Sequence, residues 1–163
     1  MTETPRNGRN AVPLDELDRR ILAVLQQDNR LSFAELAERV ASSAASCVRR
    51  VRRLREEGVI LADIALVDPG RAGKSLTAVV NIELEAERLD LVDAFKREMR
   101  AAPEVNQCYM VTGDADFVVM VTVEDIAAFE AFTRDRLYAN PNIRKFRSMI
   151  MLDRVKFEPR VAI

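Results

Sequence analysis

The spacing of apolar residues changes partway along this 163-residue chain, and that change limits what it can fold into. From Leu14 to Leu54 apolar residues recur every three or four positions, which is the spacing of one helix face. From Ser75 the pattern becomes an alternation, with Ala78, Val80 and Ile82 on one side, as in a half-buried strand. We therefore predict a helical front part and a back part that contains a sheet.

Three short amphipathic helices are predicted in the front part. The first is LDELDRRILAVLQQD, and the second follows Ser32, which forms a capping-box pattern with Glu35. The third should begin after the N-cap Ser43 and end at Gly58. Each helix has one apolar stripe, so the three can close a small core together. The apolar piece VILADIALV follows and is expected to form a strand or wing.

The back part reads as strand, helix, strand, strand, helix, strand. Turn residues Gly113–Asp116 join the second and third strands, VNQCYMVT and FVVMVTV, as an antiparallel hairpin. This order is the split βαβ arrangement of ferredoxin-like sandwiches, and the short tail after the last strand could add another strand. The predicted fold class is α+β, with an N-terminal winged helix-turn-helix followed by a βαββαβ sandwich.

Composition excludes several kinds of chemistry. The chain has no histidine, and its five glycines form no phosphate-binding motif such as GxxxxGK or GxGxxG. Imidazole bases and nearly all zinc hydrolase sites are therefore excluded. Cys47 and Cys108 match no metal-ligand spacing, so we expect reduced thiols, no metal and no cofactor. The remaining enzyme hypothesis uses Asp114, Asp116 or Tyr109 as acid–base groups.

Charge and hydropathy suggest two separate functions in a protein of the cytoplasm. Residues 1–60 carry 11 Lys+Arg against 9 Asp+Glu, whereas residues 61–163 carry 14 against 17. The longest apolar run, Phe117–Val121, is too short to span a bilayer. Met1–Pro13 lacks the apolar stretch of a signal peptide and is expected to be a flexible arm.

Five arginines lie within seven positions of the third predicted helix, directly after a run of small residues. One interpretation is a solvated helix in which Arg52 pairs with Glu56 and Arg53 with Glu57. Two glutamates cannot neutralise five arginines, however, so positive charge should remain exposed. The other interpretation is a recognition helix in the DNA major groove, where phosphates attract arginine and small side chains permit close approach. Basic helices also bind RNA and proteins.

A helical rotation of about 100° per residue divides this helix into two sides. The inward side should hold Cys47, Val48, Val51 and Leu54. The opposite side should hold Ala45, Ser46, Arg49 and Arg53, with Arg50 and Arg52 flanking them. The residues that we expect to contact DNA are Ser32, Ser43, Ala44, Ala45, Ser46, Arg49, Arg50, Arg52 and Arg53.

Three motifs in this order resemble the Lrp/AsnC family, the leucine-responsive and asparagine-operon regulators. They are LDELDRRILAVLQQDNRLSFAELAERV, CVRRVRRLREEGVI and PEVNQCYMVTGDADFVVMVTV, and the resemblance runs from Leu14 to Val155. It implies a cytoplasmic, nucleoid-associated transcription regulator of a bacterium or archaeon. It also implies that the βαββαβ module, called the RAM domain, assembles dimers and octamers and senses amino acids.

The loop TGDADF has two interpretations, since Gly and Asp are good hairpin residues in any protein. Two carboxylates without further ligands are weak evidence for a metal. The resemblance implies an effector pocket between dimers, formed by Thr112, Gly113, Asp114, Ala115 and Asp116. An Asp carboxylate could receive an α-ammonium group there, while backbone N–H groups near Gly113 could hold an α-carboxylate.

The expected partners are double-stranded DNA with a pseudo-palindromic operator, a small amino-acid effector, and further copies of the chain, from homodimer to octamer. No membrane partner is expected. The predicted boundaries are an arm at 1–13, a winged helix-turn-helix at 14–62, a linker at 63–74, and a ligand-sensing and oligomerisation domain at 75–163. The alternative function is an architectural DNA-binding protein that responds to no effector.

One turn departs from the family pattern. In the family, the turn before the third helix usually has the sequence Val-Gly-Leu-Ser-Pro, whereas this chain has Val40-Ala41-Ser42-Ser43-Ala44. Without glycine a positive φ is less accessible, and without proline the first helical turn is not pre-set. We expect a looser or slightly redirected turn.

Overall fold

The structure is a computed structural model that describes residues 11–163 of the chain. The arm predicted at residues 1–13 therefore lies almost wholly outside the described residues. The described chain divides into two compact units. The helix-turn-helix unit comprises the described residues up to Ala65 together with Phe157–Ile163, and the sheet unit comprises Leu66–Lys156. The functional domains assigned from the sequence, 14–62 and 75–163 with a linker at 63–74, remain predictions. No helix within residues 11–163 is long and apolar enough to cross a membrane.

Three helices build the helix-turn-helix unit, as predicted: α1 (Glu16–Leu25), α2 (Phe33–Arg39) and α3 (Ala44–Glu56). Each begins at a side chain that accepts a hydrogen bond from the first helical turn, namely Asp15, Ser32 and Ser43. The predicted capping box of α2 is confirmed, and α1 has a second one. The apolar stripes meet in one core, formed by Ile21, Leu22, Leu36, Ala37, Val40, Cys47, Val51 and Leu54.

The turn between α2 and α3 is not loosened, contrary to expectation. Ala41 itself adopts a positive φ of 50°, the left-handed conformation that glycine would supply. The Ser42 amide donates to the Ala37 carbonyl at 2.9 Å, which closes the turn. Without glycine, this turn therefore has local backbone strain of about 1 kcal/mol at Ala41.

The strand predicted for residues 59–67 is wrong, because no described segment pairs with it. Leu61, Ile64 and Val67 are each more than 60% exposed. A strand needs a hydrogen-bonded neighbour, and apolar character does not supply one. The predicted further strand in the tail is also wrong. Instead, the Gln26 side chain exchanges hydrogen bonds with the Val161 backbone, at 3.1 Å to the carbonyl and 2.7 Å from the amide.

The sheet unit has the predicted βαββαβ order, with its strands in the order β2-β3-β1-β4. All neighbouring strands are antiparallel. The elements are β1 (Leu76–Leu84), α4 (Leu89–Ala101), β2 (Val105–Met110), β3 (Phe117–Val123), α5 (Ile126–Phe132) and β4 (Ile143–Ile150). A π-helical segment, Thr133–Tyr138, extends α5 directly.

Alternation gives this sheet two different faces. The inner face buries Ala78, Val80 and Ile82 of β1 among the apolar residues of β3, α4 and α5. The outer face carries the residues in between, such as Val79, which pairs with Met120 on β3 and Met149 on β4. Met149 is 51% exposed. The outer face thus presents apolar side chains that the helices of this chain do not cover.

Candidate nucleic-acid interface and effector pocket

The exposed side of α3 is rotated relative to the prediction. Val48, predicted to face inward, is 44% exposed, whereas Arg53 is only partly exposed. Ala45, Arg49 and Arg52 are exposed beside Val48. The prediction from helical rotation is confirmed for Cys47, Val51 and Leu54, which are buried. We call Ala45, Val48, Arg49 and Arg52 the exposed face of α3.

Arg50 and Arg53 both bind Asp18 on α1, which the sequence interpretation did not foresee. The Asp18 side chain is 1% exposed, and its oxygens accept from Arg50 Nη1 at 2.8 Å and from Arg53 Nη2 at 2.5 Å. Arg50 Nη1 also donates to the Asp15 carboxylate at 2.6 Å. These two arginines, predicted to contact DNA, are therefore used to connect α3 to the start of α1.

The ionisation of Asp18 is set by two opposing effects. Burial of the Asp18 carboxyl opposes its ionisation, but hydrogen bonds from Arg50 and Arg53 outweigh burial and hold the pKa of Asp18 below its ordinary value. Hydrogen bonds to Asp15 and Asp18 raise the pKa of Arg50. Both pKa shifts favour the ionised forms, so Asp18 and Arg50 form an ion pair at neutral pH.

The signal for this cluster was present in the sequence. Asp18 lies four residues after Leu14 and three before Ile21, so it falls on the apolar stripe of α1. A carboxylate on a buried stripe needs a cationic partner, because a buried charge without one is costly. Without a tertiary arrangement, however, several cations could have supplied that partner.

The remaining arginines of α3 keep their charge accessible. Arg52 donates to Glu56 at 2.7 Å, as predicted, and Arg55 donates to Asp63 at 2.8 Å. Within the part of the chain that the structure describes, Arg49 has no hydrogen bond or ion pair. Arg49 and Arg52 are consequently the cations of the exposed face of α3 that are best placed to reach DNA.

The small residues predicted to contact DNA lie around the start of α2 and α3. Ser32 and Ser43 are exposed N-caps, and Ala44 and Ala45 are exposed in the first turn of α3. Ser46 is half-buried. Short side chains at a helix start allow its backbone N–H groups to approach a phosphate.

The hairpin loop between β2 and β3 is held by Asp116. Its carboxylate accepts from the Leu84 amide at 2.7 Å, its amide donates to the Ile82 carbonyl, and its carbonyl accepts from the Val111 amide, both at 2.9 Å. This side chain is therefore used to anchor the loop to the end of β1. Gly113 has a φ of 121°, a conformation that L side chains rarely adopt.

A cavity of about 290 Å³ lies beside this loop, at one end of the outer face. Its lining includes the predicted Thr112, Asp114 and Ala115 but neither Gly113 nor Asp116. The remaining lining residues, which the sequence interpretation missed, are Asn81, Glu83, Val111, Val118 and Arg147. We call this cavity the hairpin pocket. The alternation of β1 placed Asn81 and Glu83 on the outer face, but the sequence could not show which β4 residue would join them.

The hairpin pocket offers charges of both signs. Glu83 accepts from Arg144 at 2.6 Å, whereas Asp114 and Arg147 have no hydrogen bond or ion pair within the described residues. Asp114 can accept an ammonium group, and the Arg147 guanidinium can hold a carboxylate. Across residues 11–163, no group of three or more His, Cys, Asp or Glu side chains could hold a metal ion.

The two cysteines are free thiols in apolar surroundings. Cys47 is buried in the helix-turn-helix core, and Cys108 is half-buried in β2. Burial raises the pKa of both thiols, so the reactive thiolate form is disfavoured.

A helix-turn-helix unit with exposed arginines on its third helix, followed by a ferredoxin-like sheet unit with a charged pocket, defines a class. These are DNA-binding proteins that carry a second domain for a small ligand.

Comparison with known proteins identifies the family. Residues 14–60 match the profile of a winged helix-turn-helix DNA-binding domain, and residues 77–161 match that of the Lrp/AsnC ligand binding domain. An uncharacterised HTH-type transcriptional regulator of Sinorhizobium fredii is 45% identical over 90% of this chain and 86% of its own length. The leucine-responsive regulatory protein of Rhizobium meliloti is 37% identical over 93% of this chain and 97% of its own length.

A solved structure agrees in fold over nearly the whole chain. A transcriptional regulator of Neisseria meningitidis, crystallised in complex with L-methionine, superposes with a TM-score of 0.86 at 31% identity. The match covers 92% of this chain and 97% of that one. The chain belongs to the Lrp/AsnC family. It is a transcriptional regulator with a helix-turn-helix DNA-binding domain and an Lrp/AsnC ligand-binding domain, as the sequence motifs predicted.

Proposed function

We propose that this regulator binds its operator through the exposed face of α3 and that an amino acid in the hairpin pocket controls that binding. The observation that carries the proposal is the presence of two opposite charges, Asp114 and Arg147, in the lining of one pocket of the ligand-binding domain. An α-amino acid carries the matching ammonium and carboxylate groups. The complex of the Neisseria regulator with L-methionine supports this class of effector.

On the DNA side, Arg49 and Arg52 are proposed to contact the operator directly. Arg50 and Arg53 are proposed to act mainly by holding α3 against α1, since both bind Asp18. The operator is proposed to be pseudo-palindromic, because a symmetric dimer presents two copies of α3 to two half-sites.

The proposed function is regulatory and not enzymatic. The homologues are transcriptional regulators. Of the acid–base candidates, Asp116 accepts from the Leu84 amide, and the Tyr109 hydroxyl donates to Gln107 at 2.9 Å. The proposed place of action is the nucleoid in the cytoplasm, where operator DNA is found.

A screen of amino acids in the presence of a promoter fragment tests the effector hypothesis. Thermal melting should show one amino acid that raises the midpoint, since a ligand of the native state stabilises it. The same amino acid should change operator affinity, because coupling between the two ligands is reciprocal. If no amino acid changes either quantity, the protein is the architectural DNA binder that the sequence left as the alternative.

We expect Asp114→Asn to remove the effector response while DNA binding without effector is kept. The substitution preserves size and turn preference but removes the charge that would hold an ammonium group. Operator affinity, measured by fluorescence anisotropy, should lose an amino-acid-induced shift of about 1–3 kcal/mol. Asp153→Asn is the matched control, because Asp153 is exposed and does not line the pocket. If Asp114→Asn responds to the effector like the parent, the effector does not bind this carboxylate and the loop acts only as a turn.

Oligomerisation through the outer face of the sheet is expected, from a dimer up to an octamer. Val79, Val118 and Met120 are only half-buried in the single chain, and Met149 and Tyr109 are exposed. An apolar surface of this kind marks an interaction site. Light scattering should give the mass of at least a dimer at micromolar concentration, and Met120→Lys should reduce it. A strict monomer would contradict this prediction.

A further inference from the structure

A second cavity, of about 420 Å³, lies elsewhere in the sheet unit. It is lined by Lys74, Pro103, Glu104, Val123, Glu124, Ala128, Ala131, Phe132, Asp135 and Arg136. We call it the α5 cavity. Val123 ends β3, whereas the hairpin pocket lies near the start of that strand. Val118 lines the hairpin pocket and Val123 lines the α5 cavity, and at about 3.3 Å per residue these two positions of β3 are about 17 Å apart.

The charges that line the α5 cavity are incompletely paired. Lys74 pairs with Glu124, and Asp135 accepts from Arg134. One carboxylate oxygen of Glu104 is buried and has no hydrogen-bond partner within the described residues. Arg136 is half-buried and likewise has no ion pair or hydrogen bond among residues 11–163. The cavity therefore has one anion and one cation whose bonding capacity is not used.

Such an arrangement calls for an explanation, because buried polar atoms are nearly always hydrogen-bonded. A carboxylate oxygen that is removed from water without a donor is destabilised. Arg136 and Asp135 lie in the π-helical segment that extends α5. Single π-helical turns are rare and are often found at functional sites.

The rest of the lining is apolar. The apolar wall consists of Pro103, Val123, Ala128, Ala131 and Phe132. A ligand that uses the free hydrogen-bonding capacity of this cavity would donate to Glu104 and accept from Arg136. It would also place an apolar group against that wall. The cavity is also within the usual volume range of small-molecule sites, about 300–1,000 Å³.

We propose that the α5 cavity is a second ligand site, separate from the hairpin pocket, for a small zwitterion. The ligand carries an ammonium group, a carboxylate and an apolar side chain, which is the chemistry of an apolar α-amino acid. Its ammonium group lies against Glu104 and its carboxylate against Arg136. The site does not depend on the effector assignment of the hairpin pocket, since the two cavities share no residue.

The test uses the full-length Asp114→Asn/Arg147→Gln variant, in which both unpaired charges of the hairpin pocket are removed. Isothermal titration with each of the common L-amino acids should find an apolar one that still binds, at one molecule per chain. Adding Glu104→Gln or Arg136→Gln should weaken that binding about tenfold or more, because each removes a charge-assisted hydrogen bond. Absence of binding by every amino acid at millimolar concentration would overturn the proposal.

Two controls make the result specific. Glu87→Gln and Arg97→Gln change the same charges at exposed positions that do not line the cavity, and should leave the affinity unchanged. The amine and the carboxylic acid that correspond to the best amino acid should each bind more weakly, since each lacks one charge. Binding that is indifferent to both Glu104→Gln and Arg136→Gln would contradict the site. So would a change in sedimentation without a change in affinity, because the cavity would then be an interface between copies of the chain.

Discussion

Asp18→Asn should destabilise the helix-turn-helix unit by about 3 kcal/mol at neutral pH, which is a large part of the stability of a small domain. The carboxylate is 1% exposed and is the shared acceptor of Arg50 and Arg53. An amide in its place can accept only one such bond well. It removes the shared counter-charge, so that Arg50 keeps only Asp15 and Arg53 keeps only Glu57, at 3.9 Å. Among residues 11–163 the buried Nε atoms of both arginines have no hydrogen-bond partner, so the bonds of their terminal nitrogens matter more. The estimate is at the low end for buried pairs, since the Arg53 side chain is 40% exposed.

The effect should depend on pH with a definite sign. Because the folded-state pKa of Asp18 is lowered, its contribution is fully present above the ordinary aspartate value of about 3.9. It is lost as the pH falls from there through the lowered pKa. Urea unfolding of the full chain, followed by far-UV circular dichroism, should show a parent–variant difference that shrinks under acid conditions.

Asp28→Asn is the matched control for this experiment. Asp28 also accepts from an arginine, Arg30 at 3.2 Å, but Arg30 is 88% exposed. Exposed ion pairs contribute little to stability, so this variant should unfold much like the parent. An equal loss in both variants, or no loss in Asp18→Asn, would contradict the central role of the Asp18 cluster.

Arg49→Ala/Arg52→Ala should weaken specific operator binding about a hundredfold or more, while the fold is kept. Each arginine that contacts DNA contributes about 1–3 kcal/mol, and the two lie together on the exposed face of α3. Arg49→Ala, if it removes a base contact, should relax selectivity at one position. Arg52→Ala should instead reduce the salt dependence, as loss of a phosphate contact does.

The control for the arginine prediction carries the same change in net charge. Arg97→Ala/Arg100→Ala removes two exposed arginines from α4 of the sheet unit. Anisotropy titrations with operator and with unrelated DNA should show nearly parental affinity for this control. Operator affinity that survives the loss of both Arg49 and Arg52 would refute α3 as the recognition helix.

Local features of the fold were predictable because neighbours in the chain determine them. Ser32 caps α2 through an interaction with Glu35 three residues away, whatever the rest of the chain does. The alternation in β1 divided the sheet into a buried and an outer face, because successive side chains on a strand point to opposite sides. The order of helices and strands, the hairpin and the family all followed from patterns of this kind.

The sites needed the tertiary structure. Asp18 and Arg53 are 35 positions apart, so their ion pair depends on how α1 packs against α3. That packing turned Val48 outward and engaged Arg50 and Arg53 in ion pairs with Asp18. Arg147 reaches the hairpin pocket because β4 pairs with β1 in a register that sets it opposite Asn81. The sequence by itself determined the elements and their order, since these depend on local periodicity and capping. The identity of the charges left over for DNA and effector was decided only when distant elements packed together.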